Sequence, residues 1–268
     1  MNVAAQYAGA LLATAKRDAR IYSTYRLRLG SQILGTLLTL TIFFYVSKLV
    51  RSHAVGHHAT YYEFVVIGLL TMAVLQAGLT LSELVRMELL AGTFERLLIS
   101  PLGPVGGALS ISVFPIALAI VLSGIMLAVA AGVYGVPIDT AGIPLALLVS
   151  VLGGVAFAAI GLLFVAGLLA FKSSTGATWA IAALSLSAGV YFPAALFPGW
   201  IRWVSQIQPL TPAVDLLRRV LVHTASQRPV WLELVKLGGF ALVLMPVAMA
   251  ALWQAVKLAR RRGTIMEY

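Results

Sequence analysis

The 268-residue chain contains no cysteine. Disulfides, iron–sulfur clusters and thiolate zinc sites are excluded together, while the redox compartment is left undetermined. Charge is almost as scarce: Asp, Glu, Lys and Arg make up 10% of the residues, where a soluble domain carries about 25%. Acidic side chains are the rarest, nine against 19 basic. Intrinsic disorder requires high charge and low hydrophobicity, so it is excluded too. What fills the chain is apolar: 60% hydrophobic residues, against about 45–50% in an average protein, with a mean hydropathy of +0.97. A water-soluble exterior cannot be assembled from that composition, and the chain reads as an all-α integral membrane protein.

The formal net charge of +10 and pI near 10.2 raise the question of nucleic acid. The basic residues flank apolar runs instead of forming a stripe on a soluble body, so no nucleic-acid partner is expected. Flanking positive charge is what topology selection produces in a membrane.

A spanning helix needs about 20 apolar residues. Six runs qualify, at about 29–47, 64–82, 106–133, 143–171, 176–192 and 237–256. Residues 1–28 lack the short apolar core and cleavage site of a signal peptide. They read as an amphipathic interface helix, with Ala8, Leu11, Leu12, Ala15, Ala19 and Tyr22 on one face and Lys16, Arg17 and Arg20 on the other. Residues 29–257 form the transmembrane domain and 258–268 a basic tail. Twelve Lys and Arg fall on the side that holds both termini and seven on the other, which predicts cytoplasmic termini.

Between the last two runs lies a segment dense in proline and charge, from about Ala194 to Lys236. Thr211 and Pro212 predict a helix start there. Ala213, Leu216, Leu217, Val220 and Leu221 share one face and Asp215, Arg218, Arg219 and His223 the other. Too short and too charged to span, the segment reads as a re-entrant hairpin in the outer leaflet, lining a path or gate. Trp200, Asp215, Arg218 and Arg219 are its candidate gate residues. A loop lying on the membrane surface is the alternative.

Several chemistries are excluded by what is missing. None of the five lysines follows a glycine, so no P-loop is present and ATP cannot be bound in the usual way. The six runs contain no Asp, Glu, His, Lys or Arg, which disfavours a proton relay and an intramembrane hydrolase. His53, His57 and His58 have Glu63 as their nearest carboxylate and read as solvated loop residues, so no metal is expected. The polar side chains that do lie at depth include Gln32, Gln76, Ser185, Ser187 and Tyr191. They either face a translocation path or bond to nearby backbone. Gly124, Ala128 and Gly132 form a small-residue stripe suited to close helix contact.

Residues 83–104, ELVRMELLAGTFERLLISPLGP, carry an apolar stripe (Leu84, Met87, Ala91, Phe94, Leu98) among mixed charges. This is the pattern of a helix that docks in a groove of another protein or rests on lipid. Within it, Gly92 to Leu102 (GTFERLLISPL) resembles the GT(L/F)ExLLxxPL signature of ABC-2 type transporter permeases. Gln208 to Arg218 (QPLTPAVDLLR) is similar to that family's NPLTxxxDxxR element, with Gln208 where asparagine is usual, and Phe197 to Trp200 (FPGW) resembles its PxW segment. The resemblance covers nearly the whole chain.

It implies the permease half of an ATP-driven exporter in a bacterial inner membrane. The expected partners are two copies of a separate ABC ATPase, which hold the ATP and magnesium, and a second permease protomer, giving a homodimer or heterodimer. The implied coupling helix makes Arg86, Glu88, Phe94, Glu95 and Arg96 the ATPase-docking residues. The cargo it suggests is drug-like, lipid or lipo-oligosaccharide. A polysaccharide or teichoic-acid permease of the same superfamily and a non-transporting scaffold are the rival readings.

Overall fold

The computed structural model describes residues 3–49, 61–92, 103–171, 175–193, 196–223 and 229–262. Among them the regular structure is entirely helical. In hydrocarbon no water is present to satisfy backbone groups, and a helix satisfies its own. Long helix α1 (Val3–Thr24) is separated from α2 (Arg26–Leu49) by the single residue Tyr25, whose N–H donates to the Tyr22 carbonyl at 3.1 Å. There follow α3 (Tyr61–Leu79), α4 (Leu81–Leu90), α5 (Gly103–Tyr134), α6 (Ile143–Phe171), α7 (Thr175–Ser187), α8 (Gly199–Gln206), α9 (Leu210–Val222) and α10 (Val230–Arg262). The expected interface helix over 1–28 is therefore α1 plus the first turn of α2.

Five stretches are long and apolar enough to cross a bilayer: Leu29–Leu49, Tyr61–Leu90, Val105–Tyr134, Thr140–Ala170 and Val230–Ala259. The sixth expected span, 176–192, is not a full-length helix. α7 has 13 residues, about 20 Å at 1.5 Å per residue, short of a hydrocarbon core of about 30 Å. Its stop is chemical. Gly189 takes φ +75°, its N–H donates to the Leu186 carbonyl at 3.3 Å, and that of Val190 donates to the Ser185 carbonyl at 3.4 Å. This paired closure around a left-handed glycine is the Schellman ending. A second difference concerns α9, which begins at Leu210 after Pro209 and has no side-chain cap from Thr211. Pro212 falls in its first turn, where a missing N–H costs nothing.

Helices α3 and α6 form the centre of the bundle. They cross at two glycines: a Cβ on Gly161 would stand 2.0 Å from the Gly78 carbonyl oxygen, and one on Gly78 would stand 2.7 Å from the backbone of Phe157. Backbones approach this closely only where both helices lack side chains at the crossing. Helix α5 packs on α3, α10 runs along α6, and α1 lies on α5. At one end of the bundle, Leu81, Val85, Leu89, Ile111, Leu168, Leu252 and Val256 join α4, α5, α6 and α10 in a single cluster. At the other, Val66, Leu70, Val136, Val190, Leu217 and Leu221 tie α3 to α9 and the α5–α6 connection. These are called below the Leu89 end and the Phe64 end.

Helix α2 is the peripheral one, with Leu34, Leu38, Ile42 and Tyr45 exposed along it. Such a surface is compatible only with lipid or another subunit. The small-residue stripe on α5 makes no close contact within the described chain: nothing lies within 4 Å of a Cβ built on Gly124 or Gly132.

Candidate functional site

At the Leu89 end α1, α2, α3, α4 and α5 enclose a cavity of about 590 Å³. Along α3 and α4 its lining runs from Ala73 to Glu88, and along α5 from Ile111 to Met126. Sixteen residues of helix make it about 22 Å long on either wall. Gln32 and Gln76, both expected to face a path, meet in it, joined by Thr36 and Thr80. Each threonine hydroxyl donates to the backbone carbonyl four residues back, Thr36 to Gln32 at 2.9 Å and Thr80 to Gln76. The Gln32 side-chain oxygen accepts from the Tyr22 hydroxyl, and the Tyr22 ring meets Phe114 edge-on at 5.5 Å, so α1 closes over the cavity against α2 and α5. The Gln76 amide makes no hydrogen bond among the described residues.

Two features give this wall its character. Pro115 stands inside α5 and in the lining. It removes one N–H from the helical ladder, so the helix is weakest where it faces the cavity. The charged side chains in the lining are Arg17, Asp18 and Glu88. Arg17 Nη2 lies 2.9 Å from Asp18 Oδ1, and Glu88 reaches the site from α4. Arg86, two residues earlier, points elsewhere: its guanidinium pairs within its own helix with Glu83 at 2.9 Å and donates Nε to both carboxylate oxygens. Phe94, Glu95 and Arg96 lie outside the described residues.

The other polar residues expected at a path are elsewhere. Ser185 donates to the Ala182 carbonyl at 3.1 Å and Ser187 to the Ala183 carbonyl at 2.6 Å, the local use of serine in an apolar helix. Both are buried. Tyr191 stacks on Phe43 with ring centres 6.1 Å apart and donates its hydroxyl to Met72 Sδ at 3.4 Å. Gln208, which sequence reasoning treated only as a departure from the family pattern, closes the end of α7. In the orientation that satisfies both ends of its amide, the oxygen accepts from Ala188 N at 2.9 Å and Ser187 Oγ at 3.1 Å, while the nitrogen donates to the Leu184 carbonyl at 3.2 Å.

At the Phe64 end, Arg218 is drawn inside. It is 3% exposed, donates Nε to the Phe64 carbonyl at 3.0 Å and Nη2 to the Val190 carbonyl at 2.9 Å, and lies 3.3 Å over the Phe64 ring. Burial lowers its pKa, and nearby Asp215 acts in the opposite direction. A buried guanidinium is tolerated because its planar fork meets two carbonyls and an aromatic face at once. Gly68 makes the room, since a Cβ there would stand 2.5 Å from the Val190 oxygen and 3.0 Å from Arg218 Nη2. The same helix is fixed from below, where the Asp139 N–H donates to the Leu221 carbonyl at 2.9 Å. Asp215 and Arg219 are half-buried on α9, and Trp200 lies in the first turn of α8.

His53, His57 and His58 lie outside the described residues, and among those described no group of three metal-ligating side chains occurs. What the fold and the cavity define is a multi-pass helical membrane protein with a largely apolar pocket between its helices, into which two glutamines and a few charged side chains project. The family model for the ABC-2 type transporter matches residues 6–222. That is most of the chain, and the protein belongs to this family, whose permeases normally work with an ABC ATPase. No curated protein sequence matches it.

Proposed function

We propose that this chain is the permease subunit of an ATP-driven exporter that moves an amphiphilic molecule across a bacterial inner membrane, with its Leu89 end and both termini in the cytoplasm. The observation that carries this reading is the cavity. It brings Gln32 and Gln76 together within reach of α1 and of α4, the helix that leads along the chain into the expected docking segment at Gly92–Pro101. Two copies of a separate ATPase, holding ATP and magnesium, bind that segment and α1, and a second permease protomer completes the path. Movement of α4 and α1 on ATP binding then changes the shape of the cavity they line. The re-entrant pair α8 and α9 closes the outer side.

Purification tests this directly. The chain brings down a P-loop ATPase in equal numbers, and Glu95→Lys abolishes ATPase stimulation and export while membrane insertion is unchanged. Wild-type export by that variant, or purification with no ATPase, overturns the reading.

A further inference from the structure

The side chains that line the 590 Å³ cavity are sorted by helix. From α5 come Ile111, Phe114, Pro115, Leu118, Leu122 and Met126, and none of its lining residues is polar. Helices α2, α3 and the turn after α3 contribute Gln32, Thr36, Gln76 and Thr80. Charge enters the lining only from α1 and α4, as Arg17, Asp18 and Glu88, and Arg17, the single cationic side chain among the described lining residues, is paired with Asp18 at 2.9 Å. An anionic group set between α2, α3 and α5 meets no cation on those walls, and a cationic group meets no carboxylate on them. Either one loses its hydration without replacement. A hydroxyl or amide meets two carboxamides that both donate and accept. The threonine oxygens, whose protons are already engaged, add acceptors.

We infer that the cavity takes an amphiphile that is uncharged along its buried length, with an apolar face on α5 and hydroxyl or amide groups along the edge facing Gln32 and Gln76. This rests on the transport reading above and names its substrate class. Phosphate-headed lipids and lipid-like sulfonates are rejected. The volume lies inside the range of roughly 300–1,000 Å³ typical of small-molecule sites, and its length of about 22 Å suits a rigid, facially divided body.

Photoreactive cholic-acid amides supply the probe, because they share one steroid with a polar edge and differ only at the head. Three heads are compared on the full-length protein in lipid nanodiscs: N-methylglucamide, taurine sulfonate and a quaternary ammonium. Peptide mass spectrometry locates the crosslinks. The uncharged probe labels residues 73–80 and 111–126 at least about tenfold more strongly than either charged one. Gln76→Leu and Gln32→Leu each lower its labelling by about five- to tenfold, the effect of one lost hydrogen bond. The position of Gln76 is exposed, so the leucine variant folds, which an unchanged elution profile verifies. Equal labelling by the sulfonate or the ammonium, or labelling indifferent to both leucine variants, overturns the inference and leaves the transport reading standing. No labelling of these segments by any probe overturns both.

Discussion

The two ends of the bundle treat their polar groups in opposite ways. At the Phe64 end Arg218 is 3% exposed and bonded to two carbonyls on two different segments, and Gln208 satisfies three groups at the end of α7. At the Leu89 end Gln76 is exposed to a cavity, its amide unbonded among the described residues, and the Thr36 and Thr80 hydroxyls bond only their own helices. Buried polar groups that are fully bonded fix a structure. Polar groups aimed at an open space are free to bind something else. The contrast separates a region built to hold from a region built to receive, about 18 Å apart along α3 from Phe64 to Gln76.

Three substitutions break or sharpen this contrast. The largest effect is expected from Arg218→Ala, which removes both hydrogen bonds and the contact with Phe64 and empties a buried site, at about 3 kcal/mol. Thermal unfolding in detergent, followed by size exclusion, measures it, and Arg218→Lys regains under half because an ammonium cannot fork. A surface-like loss of under about 0.5 kcal/mol would erase the distinction between the two ends. Next comes Gly161→Ala, whose Cβ would stand 2.0 Å from the Gly78 oxygen. It costs about 2 kcal/mol by forcing α3 and α6 apart, and the same unfolding assay reads it. The smallest is Gly132→Ala, where nothing lies within 4 Å. Stability changes by no more than about 0.5 kcal/mol, and a larger drop would mean that this stripe is packed against a second copy.

Apolar run length accounts for how much of the fold could be read from the chain. Five of the six expected spans emerge as long helices, because lipid leaves a long apolar segment no alternative conformation. The sixth expected span, 176–192, runs through Gly189, and a glycine at the close of an apolar run is a helix-stop signal that run length alone does not register. Arg218 shows a different limit. Helical periodicity sets it on the polar face with Asp215 and Arg219, correctly for the helix alone, but α9 is covered on two sides, and no spacing in the sequence shows that Phe64, Gly68 and Val190 converge there. Gln32 and Gln76 were legible as uncommon amides in apolar helices. Their meeting in one cavity depends on how α1 folds back at Tyr25, a three-dimensional fact with no local signature.

Helix α3 does not stop at Thr80. The Thr80 N–H bonds to the Gln76 carbonyl at 2.8 Å and its own carbonyl accepts from Leu84 at 3.0 Å, so Tyr61 to Leu90 behaves as one rod. Its tightest constraint is the glycine crossing at Gly78, with about 18 Å of helix toward Leu90 and about 25 Å toward Tyr61. Such a crossing is a fulcrum placed off centre. A tilt that moves the Leu90 tip by 1 Å swings the opposite tip by about 1.4 Å by the ratio of those arms, and the guanidinium clamped on Phe64 carries α9 along with it.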